Sequence, residues 1–148
     1  MTGACRVFDG QTSLTLLVRP NDLDALGHVN NAVVLEYLEA GRADWLARRN
    51  MAASELVIAV VARIEVDYRR EIHGGEIEVR TELVEPTDDT FEADGATFLA
   101  EFRQWIHRPD LDRPAVEAAV TVAFVDARRR RAVTLQNYLA SISATVDG

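Results

Sequence analysis

The chain has 148 residues, is 48% hydrophobic and 27% charged, and carries a formal net charge of −8, with arginine supplying all 16 basic residues. That size and balance suit a single domain over residues 1–148 with a real core, and exclude a disordered chain. Cys5 is the only cysteine, which excludes a disulfide scaffold or zinc ribbon, and the acidic balance gives no general reason to bind nucleic acid. The absence of lysine removes any Schiff-base or P-loop lysine, and with the abundant alanine suggests a GC-rich bacterial genome.

In chain order, Thr12 to Arg19 is a short β-like run ended by Pro20-Asn21-Asp22, and Asp22 to Asn30 is a loop of turn residues. From Asn30 a helix is expected, capped by asparagine and closed by Arg48 and Arg49. Its first half (Ala32, Val33, Val34, Leu35, Tyr37, Leu38, Ala40) is apolar nearly all round apart from Glu36 and Glu39, the pattern of a buried helix. Leu56 to Val61 is an unbroken apolar run, after which Arg63, Glu65 and Asp67 alternate with Ile64, Val66 and Tyr68. The His73-Gly74-Gly75 turn leads into a second alternating run from Glu76 to Leu83.

Glu85 to Gly95 reads as an acidic, turn-rich stretch. Thr97 to His107 and Ala115 to Val125 are two further strands, Arg128 to Arg131 is a basic turn, and Leu135 to Ile142 is a short terminal helix. This is an α+β pattern in which one antiparallel sheet curls around one long central helix. Such a sheet leaves edges that a second copy can cover, so a homodimer or homotetramer is expected. The start of the chain, Met1 to Arg6, carries no apolar signal core and no run approaches a membrane span, so a soluble cytoplasmic protein without membrane contact is expected. Trp45, Trp105, Phe98, Phe102 and Tyr68 are expected in the core or at an interface.

The segment from Val18 to Asn31, with its Asp22-Leu23-Asp24-Ala25-Leu26-Gly27-His28-Val29-Asn30-Asn31 run leading into Tyr37-Leu38-Glu39, resembles the hot-dog-fold acyl-CoA thioesterases of the 4-hydroxybenzoyl-CoA thioesterase type. Val66 to Glu76 resembles that family's strand-turn-strand, and Arg128 to Leu135 its basic C-terminal turn, so the likeness covers roughly residues 12 to 140. It implies hydrolysis of an acyl thioester carried on coenzyme A or on an acyl carrier protein, with no metal or redox cofactor. Asp24 takes the place of the family's catalytic carboxylate, as general base or as nucleophile. Asn31 takes the place of the residue whose backbone N–H, at the helix start, receives the developing oxyanion, and Gly27 lets the loop turn tightly. Relatives often carry tyrosine or histidine where Asn31 stands, so an assisting side chain is either Asn31 or His28. Asn30 and Asn31 are caps first and substrate contacts second; Asp22 braces the loop. Arg69 and Arg70, with Arg128 and Arg129 in the basic turn, are candidates to grip the phosphates of coenzyme A.

Rival readings remain. Glu36 or Glu39, on the helix, is an alternative base. A hot-dog dehydratase or hydratase would carry D-x-N-P-x-H, a spacing that Asp22, Asp24 and His28 do not match. A binding module without turnover is the remaining class. A serine hydrolase is excluded, because G-x-S-x-G is missing and Ser13, Ser54, Ser141 and Ser143 lie near no histidine pattern. His28, His73 and His107 are too scattered along the chain for a recognisable metal motif.

Overall fold

The computed structural model describes residues 8, 10–51 and 56–146; Cys5 and Ser54 lie outside them. The elements are β1 (Gln11–Val18), a 3-10 turn (Pro20–Asp22), α1 (Asn31–Arg48), β2 (Val57–Tyr68), β3 (Gly75–Glu85), α2 (Asp88–Asp94), β4 (Leu99–His107), β5 (Val116–Asp126), β6 (Ala132–Val133) and α3 (Leu135–Val146). The strands form one antiparallel sheet in the order β1-β3-β4-β5-β2, with β6 pairing on β5. One face of the sheet supplies Ile77, Val79, Phe102, Ile106, Val120 and Phe124 to the core. That face receives α1, as the alternation in β3, β4 and β5 requires.

α1 starts where the sequence places it. The side chain of Asn30 accepts the N–H of Ala32 at 2.8 Å, satisfying one of the helix's orphan donors. Its burial differs from the all-round expectation. Val34, Tyr37, Leu38, Gly41, Arg42 and Trp45 form one buried stripe, while Ala32, Leu35, Glu36 and Glu39 are exposed within the single chain. A helix laid on one sheet face can bury only the positions that recur every 3.6 residues, whatever the composition of the rest.

The close approach is made at Gly41. A Cβ there would lie 2.6 Å from Val79 Cγ1 and 2.8 Å from Thr81 Oγ1, so the backbone of α1 sits against β3 with no room for a side chain. Beside it, the fully buried Gln104 of β4 ties three elements together. Its Nε2 donates to the Leu38 carbonyl (2.8 Å) and to Thr81 Oγ1 (2.9 Å), and its Oε1 accepts from Arg42 (3.0 Å). Toward the helix end, Trp45 is fully buried edge-on to Phe102, and the Arg49 guanidinium lies 3.8 Å above its ring.

Three further details depart from the sequence-based expectations. The acidic stretch forms the short helix α2, because Thr87 caps it through Thr90 N–H and Gly95 ends it in the left-handed region at φ 67°. Asp88 and Asp89 fall in its first turn, where negative charge suits the helix dipole. The apolar run before the alternation in β2 is not wholly buried: Ile58 and Val61 are exposed, since β2 is a sheet edge, with a bulge between Val61 and Arg63. Of the aromatic residues expected in the core or at an interface, Trp45 and Phe102 are core residues, Trp105 is half-buried, and Phe98 and Tyr68 are exposed within the single chain. The two-residue strand β6 has no sequence signal of its own. Its place comes from pairing Ala132 and Val133 with Val125 and Phe124 after the arginine turn.

Candidate active site

The loop between β1 and α1 is braced from beneath by Asp22. Its side chain accepts from Tyr37 Oη (2.7 Å), from the Arg19 backbone N–H (3.0 Å) and from the Arg19 guanidinium. Its backbone carbonyl takes the Asn30 N–H at 2.9 Å. The Tyr37 hydroxyl and the Arg19 guanidinium hold the Asp22 carboxyl below its ordinary pKa, and burial with the Asp22 charge raises that of Tyr37. Asp22 therefore fixes the path of the loop into the helix. Asp22 braces the loop, but where backbone N–H groups are expected to hold it, only that of Arg19 does, and the Tyr37 hydroxyl and Arg19 guanidinium supply the other bonds.

Removing that brace has a pH signature. Asp22's pKa is depressed in the folded state, so its contribution is present above the unfolded value of about 3.9 and is lost as pH falls through the folded value. Tyr37→Phe should cost roughly 1.5–3 kcal/mol, the worth of a buried hydrogen bond to a charged group. It should also move acid unfolding to higher pH, because the folded pKa of Asp22 rises back toward its ordinary value. Thermal melts of both proteins from pH 7 down to 3 read both effects, and an unchanged acid limb would mean that Tyr37 does not stabilise the Asp22 charge.

Asp24 lies at the exposed turn of the loop. Its Oδ1 accepts from the backbone N–H groups of Leu26 (2.9 Å) and His28 (3.1 Å), while Oδ2 has no hydrogen bond among the described residues. The His28 N–H, with that of Leu26, holds the carboxyl below its ordinary pKa, so Asp24 is ionised at neutral pH. Gly27 donates to the Asp24 carbonyl (3.0 Å) with φ at 79°, a left-handed conformation that glycine adopts without strain. At the helix start, Asn31 N–H has no partner among the described residues, whereas Ala32 N–H is taken by the Asn30 cap and Val33 N–H bonds to the Asn30 carbonyl. A free donor thus opens the first turn, where the helix dipole favours negative charge.

Asn31, Tyr68, Arg69 and Arg70 line one cavity of about 200 Å3 beside this helix start. Tyr68, the last residue of β2, donates to the Asn31 carbonyl at 2.8 Å. Arg69 is bound to Glu117 at 2.8 Å, while the guanidinium of Arg70 makes no hydrogen bond or ion pair among the described residues. Arg128 and Arg129 do not join this group within one chain. They follow the far end of β5, roughly 30 Å along the strand from the Val116 end that neighbours Arg69 and Arg70, and their N–H groups cap the Asp126 carboxylate.

A larger, mainly apolar cavity of about 380 Å3 lies under the second half of α1, lined by Trp45, Met51, Val61, Phe102, Phe124 and Tyr138 among others. Glu39 and Arg42 supply charge to its wall. Arg42 is buried and lowered in pKa by desolvation, and it has no ion pair among the described residues. Eight residues separate Asn31 from Glu39, so this cavity opens about 12 Å along the helix from its N-terminus. Glu36 stands outside it, 3.8 Å from Arg19. Sequence reasoning did not reach the Tyr68 contact, the cavity or the Arg42–Gln104 bond, because each joins residues far apart in the chain with no local pattern to mark them.

Comparison with known proteins bears on the family and the fold. The family model described as the thioesterase-like superfamily matches residues 18–142. No curated protein sequence matches the chain. Among solved structures, a 1,4-dihydroxy-2-naphthoyl-CoA thioesterase from Synechocystis superposes with a TM-score of 0.72 at 12% identity, over 94% of this chain and 99% of that one. A DHNA-CoA thioesterase from Staphylococcus aureus gives 0.73 at 13% identity, over 93% and 91%. A predicted thioesterase from Bacillus stearothermophilus gives 0.71 at 18% identity, over 92% and 93%. At these identities the structural likeness establishes the fold, an antiparallel hot-dog sheet packed on α1.

Proposed function

Since the chain belongs to the thioesterase-like superfamily, we propose that it hydrolyses an acyl thioester carried on coenzyme A or on the phosphopantetheine arm of a carrier protein, with Asp24 as the catalytic carboxylate. The observation that carries this reading is that the loop into α1 holds an ionised, exposed Asp24 and that the helix it leads into starts on an Asn31 N–H with no partner among the described residues. Attack on the carbonyl carbon moves negative charge onto its oxygen, and a preorganised N–H at a helix start is suited to receive it. Along one route Asp24 takes a proton from the attacking water; the C–O bond forms, the C–S bond breaks, and the thiolate leaves to be protonated. Along the other, an Asp24 oxygen bonds the carbonyl carbon and expels the thiolate, and water then opens the mixed anhydride. Both routes need the ionised carboxylate, the form in which Asp24 stands at neutral pH.

The free guanidinium of Arg70 in the cavity beside Asn31 suits an anionic phosphate, with Arg69 beside it. Pairing of a second copy along the exposed edge of β2, with Ile58 and Val61 against it, accounts for the apolar side chains left open there. Through such an assembly Arg128 and Arg129 could serve a neighbouring chain's site. One observation favours a second reading: Glu39, unlike Asp24, lines the large apolar cavity, where an acyl chain would lie, and it would then be the base.

Thiol release from a panel of short-chain, long-chain and aromatic acyl-CoA substrates tests the proposal. Hydrolysis of at least one is expected, with kcat/KM flat from pH 8 down to about 5 and falling only below the ordinary carboxylate value of roughly 4, because the active form is deprotonated and its pKa is lowered. A profile that already falls between pH 7 and 6 would overturn the assignment of the step to Asp24.

A further inference from the structure

Two of the three histidines that look scattered along the chain meet in space. The rings of His28 and His73 meet edge to face with centroids 5.0 Å apart. Glu71 completes the group, and one donor atom from each of the three residues lies within 4.8 Å of the others. Spacing along the chain gives these histidines no metal motif; it is the fold that brings His28 and His73 together, while His107 stands apart, on β4.

The backbone behind this cluster is fixed. Val29 N–H donates to the Ile72 carbonyl at 2.7 Å, and both residues are buried, so a hydrogen-bonded clip holds the two segments side by side. His28 and His73 flank that clip, each next to one of its two residues. The Glu71 carbonyl takes the Arg108 guanidinium at 2.7 Å, which anchors the third residue. Arg108, the neighbouring cation, is paired with Asp110 and makes no ion pair with the Glu71 carboxylate among the described residues. His28 is half-buried, whereas Glu71 and His73 are exposed and able to change rotamer.

We propose that His28, Glu71 and His73 form a binding site for a divalent transition-metal ion of the zinc class. Two imidazole nitrogens and one carboxylate oxygen are the donor set that such ions take, and three protein ligands leave a fourth position for water. Magnesium and calcium, which prefer oxygen donors, do not fit it. Bonds of roughly 2.0–2.2 Å place tetrahedral donors about 3.4 Å apart, so the cluster needs to close by about an ångström. Rotation of the exposed Glu71 and His73 side chains supplies that movement, while the clip spares the backbone any rearrangement. The site does not depend on the thioesterase reading.

Full-length, tag-free protein stripped with a chelator and titrated with Co2+ under visible absorption, and with Zn2+ by calorimetry, tests it. One ion per chain with micromolar affinity is expected, together with the d–d absorption of a four- or five-coordinate nitrogen–oxygen site. His73→Gln and Glu71→Gln should each weaken binding by at least ~10-fold, and His107→Gln should leave it unchanged. Both substituted side chains at the site are exposed, so circular dichroism should match wild type. No binding up to about 1 mM metal, or binding that persists unchanged in His73→Gln, overturns the site.

Discussion

Asp24→Asn should lower kcat by ~10²–10⁴-fold on any acyl thioester the protein hydrolyses, the usual contribution of a catalytic carboxylate. The substitution is unusually clean. An asparagine oxygen can still accept the Leu26 and His28 N–H groups that Asp24 Oδ1 accepts, so the turn keeps its shape while the charge is lost. Because the side chain is exposed, the melting temperature should stay within a few degrees of wild type, which separates loss of chemistry from loss of fold. Glu39→Gln, assayed in parallel, should change kcat by less than about threefold. The opposite pattern, a silent Asp24→Asn and an inactive Glu39→Gln, would move the base to the wall of the apolar cavity and overturn the assignment of Asp24. A turnover retained in both would reject both carboxylates.

The largest effect on stability is expected in the core. Gln104→Leu should cost roughly 3–5 kcal/mol, because it takes the acceptor from a buried guanidinium and the donor from the Leu38 carbonyl and Thr81 hydroxyl at once. For a chain of this size that is a fall of roughly 10 °C or more in melting temperature. The double variant Arg42→Met, Gln104→Leu should recover much of the loss, since replacing both partners of a buried polar contact by apolar groups is far less costly than orphaning one. A loss below about 1 kcal/mol in the single variant would mean that Arg42 swings out to water when Gln104 is gone. Equilibrium denaturation of the three proteins decides between these outcomes.

The features legible in the sequence are those written in neighbouring residues. The alternation from Ile77 to Leu83 and the apolar positions of β4 and β5 announce half-buried strands, and Asn30 announces the start of α1. The loop from Asp22 to Asn31 was readable as one unit, because its turn, its cap and its acidic residues lie within a short span. Features set by distant partners were not readable. His73 gives no sign that it meets His28, since the link is a backbone bond between Val29 and Ile72. The exposure of Ile58 and Val61 follows from the position of β2 in the sheet order, which local hydropathy does not encode. α2 was hidden by its composition: aspartates that suit a turn also suit the first turn of a helix, and the Thr87 and Gly95 caps decide between them.

The contact at Gly41 has a consequence for how this protein can evolve. With Val79 Cγ1 and Thr81 Oγ1 both inside 3 Å of any Cβ added there, and Gln104 Nε2 at 3.0 Å, the position cannot enlarge alone. A methyl at Gly41 becomes acceptable only after a neighbour on β3 or β4 has shrunk, and each of those changes by itself opens a void or breaks the Gln104 network. The order of substitution therefore matters, and mutational paths that leave this glycine pass through a less stable intermediate. Positions 41, 79, 81 and 104 therefore form a set in which the effect of changing one depends on which residues stand at the others.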